Sequence, residues 1–169
     1  MKVSDNLTAE LLVKTIGREV FGEPGTWKNG LTAIKTYLQD SVGVDTARHV
    51  LADGSGVSRY NLTSPYELTE VLRHNYSDFT LNAEFMSALP TGGWDGTLKH
   101  RMNAPLFDRR IRAKTGTLSG TSCLSGYAYP LKGDPVAFSI MMNGYIGSSH
   151  PYQQLQDRIC YQILKSAAE

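Results

Sequence analysis

The chain has 169 residues, of which 41% are apolar, enough to build the hydrophobic core of one domain. Seventeen Lys and Arg against sixteen Asp and Glu give a formal net charge of +1. A net charge this small produces no overall electrostatic attraction to nucleic acid or to an anionic membrane. No run of about 18 apolar residues is present to span a bilayer, and Met1–Val3 leads directly into polar residues rather than a signal peptide's apolar segment. We therefore expect no nucleic-acid partner, no transmembrane segment and no export signal within these residues.

The first 105 residues are predicted to be mostly helical. A first helix follows the polar start at Ser4, and Gly17 together with residues 22–25 is predicted to end it. Three more helices are predicted to begin at Thr26, at Ser64-Pro65 and at Thr80. The apolar positions of the first helix that recur at helical spacing are Leu7, Leu11, Leu12 and Ile16.

Two loops rich in glycine interrupt the helical segments. A short extended piece, His49–Ala52, runs into the loop 53–61, and a second loop covers residues 90–97. Glycines among small polar residues indicate tight turns. Both loops are therefore expected to border a site.

Residues 106–169 are predicted to form a sheet and a C-terminal helix, and from Arg109 onward the apolar period changes from helical spacing to alternation. Ile111, Ala113 and Thr115 share one strand face, and strands are predicted over 123–129 and 136–145 with short turns between them, which indicates an antiparallel three-stranded meander. A closing helix follows His150-Pro151, with its apolar face predicted at Leu155, Ile159, Ile163 and Ala167. The fold class is α+β, and residues 1–169 are assigned to one domain.

The segment Lys114-Thr115-Gly116 has the properties of a strand that binds an extended peptide ending in a carboxylate. The lysine supplies a positive charge, the threonine a hydroxyl donor, and the glycine leaves room for a peptide backbone. Thr117 can add a second hydroxyl and a backbone N–H directed at an oxyanion. Alone, the three residues are equally consistent with an ordinary strand end.

Ser4-Asp5-Asn6 is by itself consistent with a simple helix N-cap. Together with K-T-G, however, S-D-N forms two of three elements of serine enzymes that are acylated by penicillins. In that interpretation Ser4 relays a proton to the leaving nitrogen, and Asn6 hydrogen-bonds the substrate amide and the activating lysine. The conjunction favours a catalytic role for Ser4, Asn6 and Lys114.

The third element, S-x-x-K, places a nucleophilic serine one helical turn before a lysine. No serine of the chain has a lysine three positions later, so we expect that element to lie upstream of Met1. No metal or cofactor is expected, since the four histidines (His49, His74, His100 and His150) lack ligand spacing and are predicted to be surface or capping residues. Cys123 and Cys160 are either two buried thiols or a disulfide.

With these residues in view, the chain resembles the C-terminal part of the penicillin-binding protein 4 type D-alanyl-D-alanine carboxypeptidases, the low-molecular-mass class C group. Class A beta-lactamases share S-D-N and K-T-G but not the two glycine-rich loops. The segments that carry the resemblance are SDNLTAELLVKTIG from Ser4, PGTWKNG from Pro24, ADGSGVSRYNLTSP from Ala52, LPTGGWDGTL from Leu89 and RAKTGTLSGTSCLSGYA from Arg112.

The resemblance implies the C-terminal half of a beta-lactamase/transpeptidase-like fold and a periplasmic or otherwise extracytoplasmic serine hydrolase of peptidoglycan. Such enzymes remove the terminal D-alanine of stem peptides or cut cross-links, and beta-lactams acylate them. By position, Ser4 and Asn6 match the second element, and Lys114, Thr115, Gly116 and Thr117 the third. Asp53 and Ser55 match the group's glycine-rich loop, with an implied cleft-shaping role.

Two functional hypotheses follow. In the first, the chain is part of such an enzyme, is inactive alone, and has the missing N-terminal half as a partner. In the second, it is a non-catalytic module that binds peptidoglycan peptides or has a regulatory role. The fold implied by the resemblance has further strands outside this chain, so open strand edges also predict self-association, for example as a dimer.

Overall fold

The computed structural model describes residues 1–22 and 24–166, which form two compact units. The helical unit is Asp5–Val71. The sheet unit combines Met1–Ser4 with the described residues from Leu72 onward. The assignment of all 169 residues to one domain stays a prediction.

Five helices and three strands form the main elements of the described residues. The bounds are α1 Asn6–Phe21, α2 Trp27–Tyr37, α3 Pro65–Ser77, α4 Asn82–Ala88, β1 Ile111–Leu118, β2 Thr121–Ala128, β3 Val136–Asn143 and α5 His150–Lys165. Short helical turns at Leu38–Val42, Thr46–Arg48 and Gly96–Leu98 complete the chain order. The predicted α+β class, with helices first, then a meander, then a closing helix, is confirmed.

Polar side chains cap three helices near the predicted residues. Asp5 accepts the Thr8 N–H at 2.7 Å at the start of α1, and Thr26 caps α2. Ser64 begins α3 as predicted, where Glu67 accepts the Ser64 N–H at 2.8 Å and completes a capping box.

Two predicted helix boundaries are wrong. Thr80 does not cap α4, because Asp78 accepts both its N–H and its hydroxyl, and the helix begins only at Asn82. Gly17 does not help to end α1, which continues to Phe21. A Cβ at Gly17 would lie 2.6 Å from the backbone nitrogen of Gly30, so this glycine permits close packing of α1 on α2 rather than a turn.

The apolar residues that predicted α1 are exposed. Leu7 is 67% exposed, and Leu11 and Leu12 are more than half exposed. The buried residues of this helix are Val13 and Gly17. The helical unit thus presents an apolar face of α1 that the described residues do not cover.

The sheet has the strand order β1-β2-β3 with antiparallel pairing throughout. Helix α5 packs on one face, where Cys160 and Leu164 join a buried cluster with Leu124 and Phe138. The face predicted for α5 is therefore displaced by one residue: its buried positions are Gln156, Cys160 and Leu164, while Leu155 is exposed. Ala167 lies outside the described residues.

The opposite face of the sheet is covered by the C-terminal part of α3 and by α4. Tyr127 is fully buried there with Leu72, Met86 and Leu89. Its hydroxyl donates to the Leu72 carbonyl at 2.7 Å. The hydrogen bond satisfies the one polar atom of a large buried ring.

Two side-chain predictions are settled by burial and pairing. His49 is 5% exposed, with its Nδ1 3.6 Å from Glu67 Oε1, so its assignment as a surface or capping residue is wrong. Cys123 and Cys160 are free thiols.

Across residues 1–22 and 24–166, no helix combines the length and the apolar character needed to cross a bilayer.

Candidate active site

Ser4 and Lys114 lie in contact although 110 residues separate them in sequence. The ammonium group of Lys114 donates to Ser4 Oγ at 2.6 Å and to the Thr115 carbonyl at 2.8 Å. Ser4 has a left-handed backbone, with φ of 56°, which is uncommon for a residue with a side chain and is found at functional turns. The structure therefore brings the first residue of S-D-N onto the lysine of K-T-G.

Burial lowers the pKa of Lys114 below its ordinary value of 10.5. Removal of water disfavours the charged amine, and no carboxylate of the described residues forms an ion pair with Lys114. The amine is thus more ready to release a proton than an exposed lysine, and while charged it can bind an anion from solution.

The segment that carries Ser4 is held by Lys2. The Lys2 ammonium donates to Asp95 Oδ2 at 2.7 Å and to the Leu89 carbonyl at 2.6 Å, and the Lys2 carbonyl accepts the Thr97 N–H at 3.2 Å. Gly96 has φ of 56°, and a Cβ there would lie 2.5 Å from that same carbonyl. The loop 90–97 therefore fixes the Met1–Ser4 segment by side-chain and backbone contacts.

Asp95 is bound on both carboxylate oxygens. Its second oxygen accepts the Thr91 N–H at 2.8 Å. Burial opposes ionisation of Asp95, but the hydrogen bonds from Lys2 and Thr91 outweigh it and hold the pKa of this carboxyl below its ordinary value of 3.8. Sequence reasoning placed this loop at a site but did not identify Lys2 or Asp95, because no spacing rule relates residues 93 positions apart.

The outer edge of β1 is paired in its first half, whereas in its second half no backbone group of the described residues pairs with it. The Ala113 N–H donates to the Pro90 carbonyl, and the Gly92 N–H donates to the Ile111 carbonyl. Alternate residues of a strand direct their backbone groups to the same edge, so Thr115 and Thr117 face this edge beyond the point where the loop 90–97 leaves it. An extended ligand can add to the strand there.

The side chains along this open edge leave it accessible. Thr115 Oγ1 donates to Thr97 Oγ1 at 2.8 Å, while Gly116 and Thr117 are exposed. A Cβ at Gly116 would meet only the Cys123 Cβ, at an ordinary 3.6 Å. Neither a positive φ nor internal packing therefore requires glycine at this position, whereas a ligand backbone lying against the strand would.

The sequence model of the D-Ala-D-Ala carboxypeptidase 3 (S13) family matches residues 1–160. The chain belongs to this family.

Similar proteins support the assignment to the S13 family. The D-alanyl-D-alanine carboxypeptidase of Actinomadura sp. (strain R39) is 40% identical over 172 residues, which cover 99% of this chain and 31% of that protein. Penicillin binding protein 4 from Haemophilus influenzae has a structure with a TM-score of 0.89 at 30% identity, covering 98% of this chain and 38% of that one.

A second crystal structure of the Haemophilus influenzae protein is complexed with a novel beta-lactam. It gives a TM-score of 0.85 at 30% identity, and the match covers 98% of this chain and 40% of that one. The chain thus spans about a third of the length of its S13 relatives. The predicted family and fold are confirmed.

The remaining predicted site residues of this S13 chain belong to the helical unit. Asn6 is the first residue of α1 and is exposed. Asp53 organises the loop 53–61, since its carboxylate accepts the N–H groups of Gly56 at 2.8 Å and Ser58 at 2.6 Å and the Asn61 amide at 2.8 Å. The backbone contacts of Asp53 are those of a residue that shapes a loop.

Ser55 is held by a residue that the sequence did not single out. Glu10, on α1, accepts the N–H of Ser55 at 2.9 Å and that of Gly54 at 3.1 Å, together with the Trp27 indole N–H at 2.8 Å. The Ser55 side chain is the largest influence that lowers the pKa of Glu10, from 4.5 to about 2; burial opposes it, and the Gly54, Ser55 and Trp27 donors add to it. One carboxylate thus ties the loop 53–61 and α2 to α1.

Proposed function

We propose that this chain forms part of a serine-type D-Ala-D-Ala carboxypeptidase or endopeptidase that acts on peptidoglycan stem peptides. The observation that carries the proposal is the 2.6 Å contact between Lys114 Nζ and Ser4 Oγ. The contact joins a serine and a lysine that two separate sequence elements of such enzymes contain. Membership of the S13 family supports the same reaction class.

In this proposal, Lys114 binds the terminal carboxylate of the peptide. The hydroxyls of Thr115 and Thr117 supply further donors, and the open edge of β1 holds the peptide backbone in extended form beside Gly116. The N–H of Thr117 serves as an oxyanion donor. Thr115 and Thr117 direct their backbone groups to this edge, and Gly116 and Thr117 are exposed there.

Ser4 relays a proton to the leaving nitrogen of the scissile amide. Its oxygen accepts from Lys114, which leaves the Ser4 hydroxyl hydrogen to be donated to the substrate, and the lysine ammonium then replaces that proton. The lowered pKa of Lys114 favours the transfer. For Asn6 we propose the role that the family resemblance implies, hydrogen bonding to the substrate amide and to the lysine that activates the nucleophile.

The attacking serine belongs, in this proposal, to polypeptide other than these 169 residues, since no S-x-x-K occurs among them. Loss of a nucleophile typically removes about six powers of ten in turnover. The chain alone is therefore inactive, and beta-lactams acylate only an assembly that contains the missing segment. Because stem peptides occur in the cell wall, the enzyme acts in the periplasm or another extracytoplasmic space.

Labelling with a fluorescent penicillin tests this division of the site. We expect no covalent label on the chain alone and stoichiometric label on a longer polypeptide in which an S-x-x-K segment precedes the same residues. In that longer polypeptide, Lys114→Ala reduces the labelling rate, whereas Lys132→Ala, at an exposed lysine of the β2–β3 turn, leaves it unchanged. Stoichiometric labelling of the chain alone would show that it contains its own nucleophile.

The absence of S-x-x-K also favours a second candidate, a non-catalytic module that binds or senses stem peptides. Both candidates predict peptide binding through Lys114. They differ in the longer polypeptide, because a binding module acquires no penicillin-reactive serine there. The DNA sequence upstream of the Met1 codon separates them at once: an S-x-x-K segment in frame supports the enzyme.

A further inference from the structure

The sheet unit contains a cavity of about 420 Å3 that none of the proposed catalytic contacts uses. Gly92, Gly93 and Trp94 form one wall, and the segment 102–109 forms the other. A Cβ at Gly93 would lie 3.0 Å from the Met102 carbonyl oxygen and 3.2 Å from Asn103 Oδ1. Glycine at position 93 thus lets the two walls approach this closely.

Trp94 presents a large aromatic surface at this cavity. It is 56% exposed, and the guanidinium carbon of Arg109 lies 3.6 Å from the ring centroid, a stacking contact that orients both side chains. Its indole N–H makes no hydrogen bond within the described residues. Trp27, the other tryptophan of the chain, is 50% exposed but directs its indole N–H to Glu10.

The polar side chains that line the cavity are free to bind a ligand. Asn103 and Asp108 make no side-chain hydrogen bond or ion pair among residues 1–22 and 24–166, and Arg109 has only its contact with the Trp94 ring. Together they offer amide, carboxylate and guanidinium groups, both donors and acceptors. A carboxylate and a guanidinium on the same wall do not select an anion, so a neutral ligand with many hydroxyls matches this set better.

We propose that this cavity, the Trp94 subsite, binds an N-acetylated amino sugar of the peptidoglycan glycan strand. The apolar face of a sugar ring packs on an aromatic side chain such as Trp94, while hydroxyl and acetamido groups hydrogen-bond to Asn103, Asp108 and Arg109. The inference rests on the proposed function, because a stem peptide is attached to such a glycan strand.

The loop 90–97 connects this subsite to the open edge of β1. Trp94 precedes Asp95, which binds Lys2, and the same loop supplies Thr97, whose hydroxyl accepts from Thr115. In this proposal, a substrate whose peptide lies along β1 directs its sugar end to the loop that borders this strand. The subsite therefore recognises the uncut part of the substrate, not the scissile bond.

Nitrogen-15 NMR of the whole chain, with the trimer of N-acetylglucosamine as the probe, tests the proposal. The two tryptophans give two indole N–H signals, and Trp94→Phe identifies which belongs to Trp94. We expect the Trp94 signal to shift saturably with the trimer while the Trp27 signal stays constant. The proposal is overturned if neither signal moves, or if the two move equally as in non-specific association.

A second titration separates this proposal from the proposed function. In Lys114→Ala, which retains Trp94, trimer binding should be unchanged while binding of a D-Ala-D-Ala peptide is lost. Peptide binding through Lys114 without any response to the trimer would refute the sugar subsite and leave the proposed function intact. A Trp94 signal that responds to the peptide alone would also refute it, because the cavity would then be a peptide subsite.

Discussion

Lys2 and Asp95 form an ion pair with a nitrogen to oxygen distance of 2.7 Å, and this pair holds the segment that leads into Ser4. Both side chains are about one-third exposed, so the ion pair alone contributes little to stability, about 0–1 kcal/mol. Its consequence is positional. The same lysine binds the Leu89 carbonyl, and its own carbonyl binds Thr97, so three contacts determine where the Ser4 hydroxyl meets Lys114.

Asp95→Asn tests this positional role. The amide oxygen can still accept from the Thr91 N–H, but its NH2 group then faces the Lys2 ammonium, donor against donor. We expect a loss in the free energy of unfolding of about 1 kcal/mol and a severalfold weaker affinity for a D-Ala-D-Ala peptide, both measured on the same protein. Asp134→Asn, in the exposed β2–β3 turn, is the control; equal affinities for the two variants would contradict the role.

Gly116 and Gly126 allow a matched pair of substitutions in adjacent strands. A Cβ at Gly116 meets only the Cys123 Cβ at 3.6 Å, whereas a Cβ at Gly126 would overlap the Arg112 carbonyl oxygen and lie 2.7 Å from the Ala113 Cβ. Gly126→Ala should therefore destabilise the fold by about 1–3 kcal/mol. Gly116→Ala should leave the melting temperature nearly unchanged and weaken peptide binding at least tenfold.

Thermal melting of the two variants measures the change in stability, and calorimetric titration measures their affinity for the peptide. Retention of full peptide affinity by Gly116→Ala would show that no ligand backbone approaches β1 at this position.

Glu10 predicts a dependence of stability on pH. Its pKa is lowered in the folded chain from 4.5 to about 2, so the folded state favours the ionised carboxylate. The stabilisation is fully present above pH 4.5 and is lost as the pH falls from 4.5 towards 2. Glu10→Gln removes this titration, so its unfolding free energy should change less over that range than that of the unsubstituted chain.

Denaturant unfolding at pH 3 and pH 6 measures the difference. Glu19→Gln, on the same helix and exposed, controls for the general effect of acid. If the free energy of unfolding changes between pH 3 and pH 6 by the same amount in Glu10→Gln as in the unsubstituted chain, the acid dependence does not come from Glu10.

The exposed apolar face of α1 extends the prediction of self-association. Leu7 and Leu11 lie one helical turn apart and are both more than half exposed, and contiguous exposed apolar surface favours association. We expect the chain to sediment as a dimer or larger species, and Leu7→Glu with Leu11→Glu to shift it towards monomer. A monomer for the unsubstituted chain at the same concentration would contradict the prediction.

The sequence alone predicted the elements that depend on local signals and missed those that depend on distant partners. Strand alternation gave β1 and its K-T-G segment, and Ser64-Pro65 gave the start of α3. Hydropathy placed the buried face of α5 one residue away, because it assigns Gln156 to the surface. In the fold Gln156 is buried, hydrogen-bonded to Ser122 and Arg101.

The candidate site was predictable in part for the same reason. Ser4 and Lys114 belong to recognisable short segments, whereas Lys2 and Glu10 act through contacts 93 and 45 residues away. His49 was misassigned because its partner Glu67 lies 18 residues later on a different element, the helix α3, so no local sequence pattern links the two side chains.

The central claim is that Lys114, placed against Ser4, binds the carboxylate at the end of a D-Ala-D-Ala peptide. Calorimetric titration of the chain with that peptide and with its C-terminal amide, repeated on Lys114→Ala and on Lys132→Ala, tests it most directly. The account predicts binding of the acid but not of the amide, lost in Lys114→Ala and retained in Lys132→Ala. Equal affinity for acid and amide, or full affinity in Lys114→Ala, would contradict it.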